Sequence, residues 1–337
     1  MGAINKKGRQ TFIFADPPYI TSWASIVGPK EGEGPWSSDF DQILPDYLWE
    51  EDSWEKTESK MLREAAKLAI SKQGLQTSDI ELMVAGDLLN QITSSNYAAR
   101  EIGVPFLGLY GACSTMAESL LVGAAIVDGG YCERVLAATS SHHYSAERQY
   151  RSPVEHGVQR APSSQWTATA AGAVILQKGG SGPRVSCATV GKVIDMGQTD
   201  IANMGAAMAP AAVDTIKAHF EDTGRPHDYY DLVVTGDLAA VGLSLARELF
   251  VKVGLVPSPN FSDCGVLLYD GLQGVDSGGS GCGCSACMLT GPFLRKVAGG
   301  EMKNILLVST GALMSPTTTF QKESIPAVAH AVAIENI

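Results

Sequence analysis

The chain has 337 residues and no apolar run approaching the roughly 20 residues that cross a bilayer. Leu120–Val127 is typical of its hydrophobic segments, and Asp128 stops it. A membrane role would therefore be that of a peripheral partner. There is no basic tail, and a formal charge of −11 argues against a nucleic-acid-binding surface. Met1–Gln10 is polar and lacks the basic-plus-apolar pattern of a leader peptide. Seven cysteines, an odd number, do not suit a disulfide framework, so the expectation is reduced thiols in an intracellular protein. With only 18% charged and 45% hydrophobic residues, disorder, collagen and coiled coil are excluded.

What is abundant is glycine. The 36 glycines exceed the count expected at the usual roughly 7%. They stand beside apolar segments, as in tight strand–helix turns. The length allows two ordinary domains or one duplicated body, and an internal repeat favours the second. Leu82-Met83-Val84-Ala85-Gly86-Asp87-Leu88 reappears 150 residues on as Leu232-Val233-Val234-Thr235-Gly236-Asp237-Leu238. At an offset of 171, Cys113-Ser114 matches Cys284-Ser285, and Val135–Thr139 matches Leu306–Thr310. Two copies of one β-α-β unit account for both matches. The halves expected are 1–180 and 181–337.

Periodicity places elements around these anchors. Asp52-Ser53-Trp54-Glu55 has capping-box spacing with Asp52 as N-cap; Met61, Ala65, Leu68 and Ala69 then share a helical face, and Gly74 stops it. Strands are expected at Ile80–Ala85, Pro105–Tyr110, Arg134–Ala138, Asp231–Thr235 and Asn304–Ser309. Thr167–Leu176 and Val266–Tyr269 read as further core strands. Ser114–Asp128 and a segment from about Ser285 are helices apolar all round, hence buried. Two sheets sharing a buried helix layer give an α/β fold of five layers, α-β-α-β-α.

In parallel β-α-β units, strand C-termini and helix N-termini share one ligand-binding edge. Asp87 and Asn90, Cys113 and Ser114, and His142 follow three successive strands there. A cysteine at a strand-to-helix turn can be held as a thiolate by free N–H groups and the helix dipole. It can equally be a small buried thiol, and spacing leaves both readings open. Asp87 would otherwise cap the following helix, and His143 is a surface or packing residue.

Gly111-Ala112-Cys113-Ser114-Thr115, opening an apolar helix, resembles the nucleophile turn of the thiolase and β-ketoacyl synthase superfamily, and Ala170–Leu176 resembles its core strand. Longer strings are similar to one branch, the stage V sporulation AD family. They are Gly28-Pro29-Lys30-Glu31, Ala85–Gln91, Ala137–His142, Met208–Ala212 and Gly278–Cys282. The resemblance implies a thiolase-like body of two repeated halves in a spore former, binding dipicolinic acid together with Ca²⁺ for import into the developing spore. It implies a protein of the forespore, peripheral to the inner spore membrane, with other stage V A membrane proteins as partners and a homodimer by analogy. It carries no resident cofactor and no metal ligand set. Asp87, Asn90, Cys113, Ser114, His142 and Lys30 are the ligand-site candidates, with the Cys113 helix N-terminus for one carboxylate and His142 or Lys30 for the other. Asp87 beside a bare dianion is awkward, but beside Ca²⁺ it is sensible.

The departures from the enzymes weigh against condensation. Where synthases carry a histidine and thiolases an asparagine, this chain has Gly236-Asp237. The Gly-His-Pro loop is replaced by Gly278-Gly279-Ser280, and the late thiolase cysteine aligns with about Ser309. A missing proton-transfer group costs typically ~10²–10⁴-fold. Acyl transfer through Cys113 is the alternative function. Cys282-Gly283-Cys284-Ser285-Ala286-Cys287 lacks a paired knuckle and reads as a small-residue turn opening a helix, not as a metal site. Pro17–Pro45, with Tyr19, Trp23 and Trp36, reads as a surface lid. Glu147–Arg160, with Arg148, Arg151, His156 and Arg160, is a local basic stretch that could attract a dianion.

Overall fold

The computed structural model describes residues 5–150 and 160–336. Ten strands form its frame. In the first half they are β1 (Tyr19–Val27), β2 (Leu82–Gly86), β3 (Phe106–Gly108), β4 (Arg134–Ser141) and β5 (Ala170–Gln177). In the second they are β6 (Arg184–Thr189), β7 (Leu232–Thr235), β8 (Phe261–Asp263), β9 (Asn304–Ala312) and β10 (Ala327–Glu335). The lateral orders are β1-β5-β4-β2-β3 and β6-β10-β9-β7-β8, the same permutation twice. The directions repeat too: β2 runs parallel to β3 and β4, and β7 to β8 and β9, while each remaining pair is antiparallel. The repeated strings fall on equivalent strands, β2 with β7 and β4 with β9. The two sheets meet at one residue pair, Arg184 with Tyr19. Thr11–Ile13 pairs with β6, so the start of the chain is stitched into the second half.

The layering follows from strand alternation. Val174 and Leu176 of β5 and Ile305 and Leu307 of β9 face one central core; their neighbours Ala173 and Ile175, and Leu306 and Val308, face two outer ones. Both faces are apolar because both are covered, which is why these strands read as continuous hydrophobic runs. The central layer is α3 (Thr115–Asp128) with α7 (Cys282–Met288), the two helices expected to be apolar all round. Outside the first sheet lie α1 (Trp54–Lys72) and α2 (Thr93–Ile102); α4 (His143–Tyr150) follows β4. Outside the second lie α5 (Met204–Thr223) and α6 (Ala239–Lys252). Glycine matters where backbones touch: a Cβ on Gly205 of α5 would lie 2.5 Å from Leu238 O, and one on Gly242 of α6 would lie 2.8 Å from Gly205 O.

Three local expectations are corrected. The N-cap of α1 is Ser53, whose hydroxyl accepts from Lys56 N–H at 3.4 Å; Asp52 instead pairs with the Lys56 ammonium at 2.6 Å. Val266–Tyr269 is not a strand. Asp263 accepts from Val266 N–H and starts a short helix at Cys264–Leu267, and this local cap overrides the apolar run. Pro17–Pro45 is only partly a covering loop. Tyr19 and Trp23 lie on β1, inside the first sheet, and Trp36 Nε1 donates to Leu267 O at 2.8 Å.

Candidate functional site

Cys113 sits in a single turn of 3₁₀ helix, Ala112–Ser114, between β3 and α3. Ala112 has φ +50°, a strained value for a residue with a Cβ. The turn is pinned from the other half: a Cβ on Gly311, near the end of β9, would lie 2.3 Å from Gly111 O. Cys113 is half-buried as a residue, but its thiol is buried and faces the carboxyl of Asp237, which follows β7. Asp237 is fully buried. One of its oxygens accepts from Thr310 Oγ1 and the other from Gly281 N–H at 3.2 Å. Burial, with Asp263 close by, raises Asp237 to about 7 against the stabilising effect of these donors. Burial and the neighbouring Asp237 push the Cys113 thiol up as well, so the helix N-terminus does not yield a thiolate.

The pocket beside Cys113 lies between the halves and opens to solvent. Leu88, Cys113 and Tyr150 come from the first half, and Met204, Ser280 and Met314 from the second. Its walls are mainly apolar, and no lysine or arginine is among the described residues lining it. A wider, more open groove continues from it past Asp87, Asn90, Tyr110 and Gln149. Leu88, Ala112, Tyr150 and Met314 line both. Tyr150 Oη and Gln149 Nε2 both donate to Leu88 O, so the C-terminal end of α4 closes onto the loop after β2.

The six candidate residues are divided. Cys113 lines the pocket, and Asp87 and Asn90 line the groove. Asp87 is buried and committed: it accepts from Leu89 N–H at 2.8 Å and from both Ser95 N–H and Ser95 Oγ at 2.7 Å. Burial raises it to about 6, the hydrogen bonds opposing. Ser114 donates to Gly111 O at 2.7 Å, bracing the turn. His142 accepts from Tyr144 N–H through Nδ1 and donates from Nε2 to Tyr47 O at 2.9 Å; burial lowers it to about 4, so it is a neutral, structurally occupied imidazole. Lys30 donates to Gln273 O at 2.6 Å and lies 4.3 Å over Trp166, tying the first half to the second. Neither His142 nor Lys30 is in the pocket lining.

Of the basic stretch, Arg148 pairs with Glu55, and Arg160 pairs with Asp276 at 3.0 Å; Arg151 and His156 lie outside the described residues. The cysteines of α7 are fully buried, and two of them are engaged: Cys282 Sγ donates to Ser140 O at 2.9 Å and Cys287 Sγ to Cys284 O at 3.4 Å. Sequence reasoning misses the partnership of Cys113 with Asp237, although the repeat that equates Asp87 with Asp237 is its signal. Asp87 caps its own turn; after β7 that task falls to Asp263, which accepts from Leu238 and Ala239 N–H at 2.8 and 2.9 Å and leaves Asp237 facing Cys113. Tyr150, Met204 and Met314 have no sequence signal, being ordinary apolar positions until the chain folds.

Solved structures share this architecture at low identity. A histidine-to-asparagine variant of OleA from Xanthomonas campestris superposes with a TM-score of 0.62 at 13% identity, covering 96% of this chain and 99% of its own. The 3-oxoacyl-[acyl-carrier-protein] synthase III of Aquifex aeolicus gives 0.54 at 13% identity, covering 94% and 99%. These similarities establish a thiolase-like fold. Much nearer in sequence is the stage V sporulation protein AD of Bacillus subtilis, 44% identical over 328 residues and 97% of both chains. The family profile for stage V sporulation protein AD matches residues 8–335. With that match spanning nearly the whole chain, the protein belongs to the stage V sporulation protein AD family.

Proposed function

We propose that this protein is a non-catalytic thiolase-fold subunit that binds dipicolinic acid, accompanied by Ca²⁺, for the spore uptake system during sporulation. The observation that carries the reading is the apolar pocket between the halves, lined from the N-terminal ends of two long helices. Ala112 and Cys113 lie in the 3₁₀ turn that leads into α3, and Met204 opens α5. A flat pyridine ring suits apolar walls, and its carboxylates suit helix N-termini. The described lining residues include no lysine or arginine, and Ca²⁺ travelling with the ligand supplies a counter-charge to the dianion there. Titration calorimetry tests both parts. Saturable binding is expected, weaker in a chelator, and lost in Ala312→Leu, which fills the pocket. Absence of saturable binding overturns the reading, and equal affinity with and without Ca²⁺ removes the calcium part. The same reading includes a location peripheral to the inner spore membrane, partnership with the other stage V A membrane proteins, and a two-fold homodimer, the last measurable by light scattering.

Acyl transfer through Cys113 is the second reading, favoured by its place in the pocket lining beside the strained Ala112. The raised thiol opposes it, since the thiolate is the nucleophile. An acyl-CoA adduct seen by intact mass in the wild type and absent in Cys113→Ala would establish it.

A further inference from the structure

Below the pocket floor lies a carboxyl group with no cationic side chain paired to it among the described residues. The groups facing Asp237 are the Cys113 thiol, the Thr310 hydroxyl on β9, the Gly281 N–H before α7, the Asp263 carboxyl after β8, and the buried thiols of Cys264, Cys282 and Cys284. Every titratable member of that set is acidic. Across the pocket, Glu147 and Tyr150 of α4 add a carboxylate, paired with Arg160 at 3.7 Å, and a phenol. A dianion lodged against Cys113 would therefore stand one side chain away from a second buried negative charge. The arrangement allows either a metal cation or a proton to relieve that repulsion.

We propose that Asp237 is the proton-accepting positioning residue of this pocket: a dicarboxylate ligand arriving without a divalent cation binds with uptake of one proton onto Asp237. The inference rests on the proposed function above. In the ionised state the Cys113 S–H is directed to the Asp237 carboxylate. When a proton from solvent adds to Asp237, its new O–H donates back to Cys113 Sγ. The thiol hydrogen is then free to turn into the pocket and donate to a ligand carboxylate. No covalent bond to carbon changes, and the balance is one proton taken from buffer for each ligand bound. The position of Asp237 near neutrality, caused by burial, makes this uptake available in the ordinary pH range. Calcium entering with the ligand makes it unnecessary, so cation and proton are alternative counter-charges at one site.

Calorimetry of the full chain with dipicolinate, in buffers of differing ionisation enthalpy at about pH 7.5, counts the protons. The wild type in chelator should take up between about half and one proton per ligand, and its affinity should fall by up to about tenfold per pH unit at higher pH. With Ca²⁺ the uptake should vanish. Asp237→Asn, which keeps an acceptor for Gly281 N–H and a donor for Thr310, should bind with no proton uptake and no fall-off. Thr310→Val removes a donor to the ionised form, and should move the wild-type fall-off to higher pH. This second variant covers the case in which Asp237→Asn does not fold. Binding by the wild type without proton uptake, or undiminished uptake in Asp237→Asn, overturns the inference and leaves the ligand reading standing. Absence of saturable binding by folded wild type, with or without Ca²⁺, overturns the ligand reading and this inference with it.

Discussion

A cysteine at a helix N-terminus is ordinarily a candidate thiolate, and Cys113 shows how one neighbour reverses that. The dipole of α3 favours negative charge at the turn, but its pull is confined to the first turn and amounts to about 0.3–1 kcal/mol at an ordinary surface site. Burial and the Asp237 carboxyl act in the opposite direction and dominate. Replacing Asp237 by Asn removes the charge while keeping the shape. Cys113 should then react several-fold faster with iodoacetamide at about pH 8, read by intact mass against a Cys113→Ala control. An unchanged or slower rate would show that Asp237 does not hold the thiol protonated. The same residues separate what is legible in the sequence from what is not. Cys113 is legible from its glycine-rich turn, and Asp237 from its place after a repeated strand. Their contact is not, because it joins positions 113 and 237 across the two halves.

Among the elements, the helices of the central layer owe their position to missing side chains on the strands they cover. A Cβ on Gly172 of β5 would lie 2.9 Å from the Ala286 carbonyl oxygen of α7. Gly172→Val should destabilise the protein by about 1–3 kcal/mol, the usual cost of overpacking, measured as a lower urea midpoint at unchanged slope. Gly311→Ala presses on the Cys113 turn instead, so it should weaken ligand binding by a larger factor than it weakens folding. Equal losses in calorimetry and urea titration would argue against a selective effect on the turn. Apolar runs make most of these elements legible, since a strand or helix covered on all sides is hydrophobic throughout. The exception, Val266–Tyr269, fails for the same reason: a short apolar run has no periodicity to choose strand over helix, and a cap from Asp263 decides it.

The whole molecule is a body that buries ionisable groups of both kinds, and its stability should follow pH accordingly. Glu31 and Asp237 are both raised to about 7 by burial. Their folded pKa exceeds the unfolded one, so the stability they contribute is complete below the ordinary carboxylate range and is lost as pH rises to about 7. Burial lowers His142 and His330 to about 4, so their contribution is present above the ordinary histidine range and is lost as pH falls toward 4. Between about pH 6.5 and 7.5 the two carboxylates lose their protons in the folded protein, while the histidines, which titrate near 6.5 in the unfolded chain, oppose part of that loss. Glu31→Gln removes one of the two carboxylates, so its melting temperature should fall less, or rise more, across that interval than that of the wild type. An identical pH response in wild type and Glu31→Gln would show that Glu31 is not held neutral. Glu31 also bridges the halves: it accepts from Tyr269 Oη and from Thr169 N–H at 3.1 Å.

The sequence by itself determined the duplication, the five layers and the turn that carries Cys113, because these rest on local periodicity, glycine placement and repeated strings that lie within each half. The tertiary structure alone decided which side chains meet. It turned His142 to Tyr47 and Lys30 to Gln273, committed Asp87 to its own loop, and brought Asp237 to Cys113. The physical reason is that the pocket belongs to neither half. Its lining comes from strand ends and helix starts far apart in the chain, and only packing the two sheets around one shared helix layer fixes their distances.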